Sequence, residues 1–315
     1  MKILNFGSLN IDYVYSVEHF LRGGETLSSD RLDIFCGGKG LNQSVALKKS
    51  GIEVYHAGAL GESDGAFLLD FLDETGVNLE FVRKLPMKSG HAIIQKNPEG
   101  QNCIMLYGGA NQNIERSQVD AVLEHFEEGD FIVLQNEISE IGYIMEKAHE
   151  KGLRIVLNPS PMDSKIFTYP LDYVELLILN EIEAGDLLSS TIENAAKIDA
   201  EIKPKSTGLQ AQGDVLIKQL SSRFRHMKIL LTLGDDGSIY RDADTIIKQG
   251  IYRVDVVDTT AAGDTFTGFF IGAIAEGKSE KEALELAAKA ASISVSRQGA
   301  APSIPDKKEV LSWDF

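Results

Sequence analysis

The chain has 315 residues, 43% of them hydrophobic, with 31 Lys and Arg against 47 Asp and Glu and a formal charge of −16. That length buries a large core, in one α/β domain with an appendage or in two modest domains, and excludes a small scaffold stapled by disulfides or metal. An acidic balance with no run of clustered Lys and Arg excludes nucleic acid and an anionic membrane surface as expected partners.

In chain order, residues 3–6 read as a strand buried on both faces, followed by the polar turn Gly7-Ser8-Leu9-Asn10-Ile11-Asp12. Residues 13–17 and 32–35 read as antiparallel strands. The glycine-dense turn Gly37-Gly38-Lys39-Gly40 then opens a helix over 40–49. A strand at 54–57 and a helix over 64–75 follow, then a hairpin of 91–95 with 103–107 across Asn97-Pro98-Glu99-Gly100. Helices at 117–126, 141–151 and 215–224 alternate with strands at 131–134, 154–157, 176–179 and 229–233. The polar stretch from Ser189 to Ala211 reads as a loop with a short helix. Alternation of this kind gives a doubly wound, mostly parallel sheet with helices on both faces, and places ligands at the carboxyl ends of its strands.

Compartment and metal chemistry follow from what is missing. The start has one basic residue and an apolar stretch cut by Asn5, too short for a secretory leader, and the apolar segment 265–275 falls far below the roughly 20 residues of a membrane helix. Cys36 and Cys103 stand in no metal-binding or redox spacing. A cytoplasmic protein without a zinc site or disulfide framework is expected.

One motif misleads. Gly272-Ala273-Ile274-Ala275-Glu276-Gly277-Lys278-Ser279 fits the phosphate-loop pattern, but Phe266, Phe269, Phe270 and Ile274 mark the segment as the interior of a helix. Gly277 then reads as a helix C-cap and Ser279-Glu280-Lys281-Glu282 as the capping box of the next helix. No G-x-G-x-x-G follows the first strand, which argues against a nicotinamide oxidoreductase.

Asp258-Thr259-Thr260-Ala261-Ala262-Gly263-Asp264-Thr265-Phe266 carries more chemistry. Its small residues let backbone N–H groups converge, and the helix that begins there points a positive dipole end at them, which makes an anion pocket with a carboxylate at its mouth. Alone, Asp264 reads as a first-turn acid of that helix. Other strand ends also carry polar groups or glycines, at Gln135-Asn136-Glu137, Asn180-Glu181-Ile182-Glu183 and Gly234-Asp235-Asp236-Gly237.

Gly37-Gly38-Lys39-Gly40-x-Asn42-Gln43 and Asp258 to Phe266, in this order and spacing, resemble the two signatures of the PfkB-type sugar kinase family, in its ribokinase branch. The likeness covers nearly the whole chain, and Ala261 stands where many members have Gly. It implies ATP-dependent phosphorylation of a sugar's primary hydroxyl, with D-ribose converted to ribose 5-phosphate. Kinases for deoxyribose, fructose or a nucleoside, and a sugar-binding regulator without catalysis, are the alternatives.

By this resemblance Asp264 is the base, and the N–H groups of Ala261, Ala262, Gly263 and Asp264 form the anion hole. Asn10, Asp12, Gly38, Lys39, Asn42 and Glu137 bind the sugar. Asn180 and Glu183 serve Mg²⁺ and phosphate through water, while Thr232, Gly234 and Gly237 pass the nucleotide. A potassium site would use Asp258, Thr260, Ser294, Arg297, Gly299 and Ser303, several through backbone carbonyls. Residues 1–10, 36–89 and 111–315 would form the main domain, and 11–35 with 90–110 an antiparallel lid that closes over the sugar and clasps a homodimer.

Overall fold

The structure is a computed structural model that describes residues 1–189 and 209–314, so the loop and short helix expected between Ser189 and Ala211 fall almost wholly outside the described residues. Strands β1 (Ile3–Phe6), β4 (Val54–Gly61), β5 (Asn78–Leu85), β8 (Phe131–Gln135), β9 (Arg154–Asn158), β10 (Val174–Asn180), β11 (Lys228–Thr232), β12 (Ser238–Arg241) and β13 (Ile246–Gln249) form one sheet. Its order is β13-β12-β11-β10-β9-β8-β1-β4-β5. All pairings from β5 to β11 are parallel, and β12 and β13 add an antiparallel edge.

Neighbouring residues of one strand serve opposite cores. Leu4, Ile132 and Leu134 face the layer of α3 (Arg116–Leu123), α4 (Ile141–Glu150), α5 (Glu181–Ser189) and α6 (Leu209–Arg223). Ile3, Phe131 and Val133 face α1 (Lys39–Lys49), α2 (Ala66–Thr75), α7 (Ala262–Ala275), α8 (Glu280–Val295) and α9 (Lys307–Ser312). Burial on both faces explains why these strands are continuous apolar runs. The sheet is larger than the sequence reading, because β5 and β13 are half-exposed edge strands whose polar residues hide the signal, and β12 is a buried strand of only four residues.

Helices α1 and α7 meet through matched small residues. A Cβ on Gly268 would lie 2.4 Å from Ala46 Cβ, and one on Gly272 would lie 2.0 Å from Ser50 Oγ. Asn42, Ala46 and Ser50 are four apart on α1, as are Asp264, Gly268 and Gly272 on α7, so three rungs align the helices. Gly272 is therefore the first glycine of the false phosphate-loop pattern because a helix lies against it. The C-cap of α7 is Glu276, one residue before the Gly277 expected, and Gly277 follows it at φ +81°; Ser279 with Glu282 forms the capping box expected.

The second sheet runs β3 (Arg31–Gly37), β2 (Asn10–Ser16), β6 (Gly90–Lys96), β7 (Asn102–Tyr107). It is mixed rather than antiparallel as expected, since β2 and β6 pair in parallel from Asn10 with Gly90 to Ser16 with Lys96. The physical reason is entry: β2 follows β1 and β6 follows β5, both leaving the carboxyl end of the main sheet in one direction. Leu32, Ile34, Ile104, Met105, Leu106 and Tyr107 of this sheet are exposed. Among the described residues, no helix is long and apolar enough to cross a membrane.

Candidate active site

The carboxyl ends of β1, β8, β9, β10 and β11 meet the N-termini of α1 and α7. Asp264, in the first turn of α7, is buried at 7% exposure. Its Oδ2 accepts from Asn42 Nδ2 at 3.0 Å and its Oδ1 from Gln43 Nε2 at 2.9 Å, both delivered by the α1–α7 contact. Asn42 Oδ1 is buried with no partner. Such an orphan acceptor beside a carboxylate suits a donor brought by a ligand.

Ala261, the N-cap of α7, holds φ +61°, a left-handed conformation that costs an L-residue about 1–2 kcal/mol and favours glycine. Ala262 N–H donates to Thr259 O at 3.3 Å and Thr265 N–H to Ala261 O at 2.8 Å. Between them Gly263 and Asp264 lie in the first turn, where N–H groups have no intrahelical acceptor. Ala262 N–H is thus turned to its own loop, whereas the N–H groups of Gly263 and Asp264 have no acceptor within the helix. A Cβ on Gly263 would meet nothing within 4 Å, so packing does not demand glycine there.

Gly263, Asp264 and Lys39 line a cavity of 230 Å³ together with Asn180, Glu183 and Thr232. Asn180, Thr232 and Gly263 also line a larger cavity of 580 Å³ that extends to Gly234, Gly237, Ile251, Tyr252 and Ala288. Asn180 and Glu183 cap α5 reciprocally: Asn180 N–H donates to Glu183 Oε2 at 3.0 Å and Glu183 N–H to Asn180 Oδ1 at 2.8 Å. Ile251, Tyr252 and Ala288 escaped the sequence reading, as the first two come from a loop and the third from the middle of α8, with no local motif.

On the other side of Asp264, Glu137 accepts from Lys39 N–H at 2.8 Å and from the Ser8 hydroxyl. Asn10 Oδ1 accepts from Asn111 Nδ2 at 2.7 Å. Asp12 lies against Gly37, where a Cβ would come within 2.0 Å of Asp12 Oδ2. Burial, and then the nearby Glu137, push Asp12 up to about 7. Burial also raises Glu137, against the Ser8 and Lys39 bonds that favour its charge. Burial pulls the Lys39 ammonium down, but Asp264, Glu137 and Glu183 together outweigh it and hold it above the ordinary lysine value. Ser8, Gln43 and Asn111 were not among the expected site residues, and they hold those that were.

The loop before α7 is closed by Asp258. Its Oδ1 accepts from Thr260 N–H at 3.0 Å and Thr260 Oγ1 at 2.6 Å, and its Oδ2 accepts from Gly299 N–H at 3.3 Å. Burial raises the Asp258 carboxyl, but these bonds outweigh it and hold it below the ordinary range. Ser294 and Ser303 hydroxyls bond each other at 2.8 Å, and Thr265 Oγ1 donates to Ser294 at 3.3 Å. Arg297 turns away: its guanidinium pairs with Glu309, which leaves only its backbone for the expected potassium set. Among the described residues, no cluster of three or more His, Cys, Asp or Glu could hold a metal.

A doubly wound sheet with a carboxylate and a helix N-terminus facing one cavity at its switch of helices is the architecture of a phosphoryl-transferring α/β enzyme. The chain belongs to the pfkB family of carbohydrate kinases, whose profile matches residues 1–307. A curated ribokinase of Arabidopsis thaliana is 35% identical over 315 residues, covering 97% of this chain and 79% of that protein. One of Schizosaccharomyces pombe is 33% identical, covering 98% and 96%. Ribokinase from Cryptococcus neoformans solved in complex with ADP superposes with a TM-score of 0.85 at 31% identity, covering 98% of each chain. Arabidopsis ribokinase complexed with ribose and ATP gives 0.83 at 31% identity, covering 98% of this chain and 97% of the other.

Proposed function

We propose that this chain transfers the γ-phosphoryl group of ATP to the primary hydroxyl of D-ribose, giving ribose 5-phosphate and ADP. The observation that carries the reading is Asp264, fixed by Asn42 and Gln43 in the first turn of α7 and open to a cavity shared with Lys39 and Gly263. Ribokinases of four bacteria among the relatives, and the two superposed ribokinases, support ribose over other sugars. A deoxyribokinase of Salmonella typhi at 28% identity keeps deoxyribose as the alternative to test.

Asn10, Asp12, Lys39, Asn42 and Glu137 bind the sugar hydroxyls, with Gly38 leaving room for the ring. Carboxylates and amides hold neighbouring hydroxyls in pairs and reject sugars that lack one. Asp264 accepts the proton of the primary hydroxyl as the new O–P bond forms and the β–γ bridge breaks. In a loose transition state this transfer is late, so a carboxylate suffices and most of the rate comes from positioning. N–H groups of Gly263 and Asp264, at the positive end of α7, take up charge on the transferring group. Thr232, Gly234 and Gly237 pass the nucleotide into the larger cavity.

Two ions fit these donors. Asn180 and Glu183 put hard oxygens on the cavity without a carboxylate cage, which suits a hydrated Mg²⁺ that neutralises phosphate charge. Asp258, carbonyls near Thr260, Arg297 and Gly299, and the Ser294 and Ser303 hydroxyls suit a potassium ion that orders the α7 turn. Residues 11–35 and 90–110 form a lid over the sugar that excludes water, and the exposed apolar residues of β3 and β7 make it the clasp of a homodimer. The protein works in the cytoplasm.

ADP release measured with ribose, deoxyribose, fructose and adenosine, with ATP, Mg²⁺ and K⁺, tests the reading. Ribose should give the highest kcat/KM, and Asp264→Asn should keep sugar binding while turnover falls about 10²-fold or more. A preference for another acceptor overturns the substrate, and unchanged turnover overturns the base.

A further inference from the structure

Asp264 is held by an amide whose orientation is set elsewhere in the fold. Gln43 Nε2 donates to Asp264 Oδ1 at 2.9 Å and to Asn158 Oδ1 at 3.2 Å, while Gln43 Oε1 accepts from Gln135 Nε2 at 2.7 Å. An amide exchanges donor for acceptor by a half-turn, so its neighbours decide which end faces the carboxylate. Asn158 is anchored directly on a backbone carbonyl, which only accepts, and Gln135 is anchored indirectly, through Asn5. Asn158 Nδ2 donates to Ile178 O at 2.9 Å, and this turns its Oδ1 to Gln43. Asn5 Nδ2 donates to Gly40 O at 2.6 Å and Ser44 Oγ at 2.7 Å, and this turns its Oδ1 to Gln135. Gln135 Nε2 therefore points at Asn5, 2.9 Å away, and at Gln43.

Asn5, Gln43 and Gln135 are all fully buried, so water does not compete for these bonds. Gln135 Oε1 is left buried with no partner. An orphaned acceptor in a core needs a reason, and here it is that both useful contacts of Gln135 are made by its nitrogen. None of Asn5, Gln43 and Gln135 lines either cavity described above.

We propose that Gln43 is a positioning residue for phosphoryl transfer, locked donor-first onto Asp264 by a relay of Gln135, Asn5 and Asn158 that ends on the carbonyls of Gly40 and Ile178. The relay stops the Asp264 carboxylate from turning, so that its free lone pairs stay toward Lys39 and Gly263. The inference rests on Asp264 as the proton acceptor.

Gln43→Met, Gln135→Met and the double variant, beside Asp264→Asn, test it by kcat and by KM for ribose and ATP. Gln43→Met should lower kcat about 10- to 100-fold with both KM values within about twofold, since misplacement by an ångström costs up to about 10²-fold in rate. Gln135→Met, remote from substrate, should lower kcat about threefold to tenfold. The double variant should match Gln43→Met, because a residue acting only through Gln43 adds nothing once Gln43 is gone. Wild-type kcat in Gln135→Met, or losses that multiply in the double variant, overturns the relay. If Gln135→Met does not fold by circular dichroism, Gln135→Leu also removes the donor and must lower kcat at least threefold; wild-type kcat there also overturns it. Unchanged turnover in Asp264→Asn would instead remove the base itself, so the two failures are separable.

Discussion

Asp12→Asn should stabilise the ligand-free protein at pH 8 and cripple its use of sugar. Asp12 sits on β2 with its carboxyl raised from 3.8 to about 7, by burial first and by Glu137 second. A carboxyl raised on folding binds its proton more tightly in the native state, so its stabilising effect is complete below 3.8 and drains away as pH climbs to about 7. At 1.36 kcal/mol per unit, the wild type loses about 3 kcal/mol between pH 5 and pH 8 that an uncharged amide does not lose. Urea unfolding at the two pH values reads this directly, as a midpoint gap between variant and wild type that widens with pH at constant m. The same substitution replaces an acceptor-only group with one that also donates, so the KM for ribose should rise about tenfold or more. In the wild type, that KM should fall as pH rises through about 7, where Asp12 becomes a full acceptor. A stability gap that is flat between pH 5 and pH 8 would refute the reasoning.

Gly263→Ala should raise thermal stability slightly, by the about 0.5–1 kcal/mol that alanine gains over glycine in a helix, because nothing lies within 4 Å of the added Cβ. Turnover should fall at the same time, since the methyl enters the cavity; a variant with normal kcat removes Gly263 from the anion site. Gly268→Ala should cost about 1–3 kcal/mol by forcing α7 off Ala46, with kcat falling more than KM rises, as measured by calorimetry beside steady-state kinetics. Replacing K⁺ with tetramethylammonium at constant ionic strength should reduce kcat severalfold, whereas equal rates in the two salts would leave the Asp258 loop without a cation. EDTA should abolish turnover and added Mg²⁺ restore it.

What was legible in the sequence was whatever a local pattern encodes. Val54, Ile132 and Leu230 lie in strands buried on both faces, and such runs announce themselves. Gly277 and Ser279 announce a helix end and a helix start, because capping is settled within a few residues. Asp264 and Asn42 were found through glycine-rich turns, whose backbone demands restrict residue choice locally. The partners of Gln43 were not found, since Gln135 lies 92 residues away and Asp264 lies 221, and an amide in a strand carries no signal of what it will meet. The parallel pairing of β2 with β6 was missed for a related reason: direction is inherited from β1 and β5, and β5 is an edge strand with a weak apolar pattern.

The charge of −16 raises a question that the site resolves. Lys39 faces Asp264, Glu137 and Glu183, so three acids surround one ammonium before any phosphate arrives, and Asp12 lies beside Glu137. A polyanion cannot be drawn in by that balance of side chains. In the proposed function its phosphates are met by Mg²⁺ and by groups that add no net charge, the first-turn N–H groups of α7, concentrated where Gly263 keeps the surface bare. The acids have a different purpose: each can accept from a hydroxyl, and the carboxyl of Asp12 becomes a full acceptor only near pH 7. In the proposed function Asp12 and Glu137 thus serve the neutral sugar, and the backbone with Mg²⁺ serves the charged nucleotide. This division explains how a strongly acidic chain can place an ATP site against its own carboxylates without a cluster of arginines.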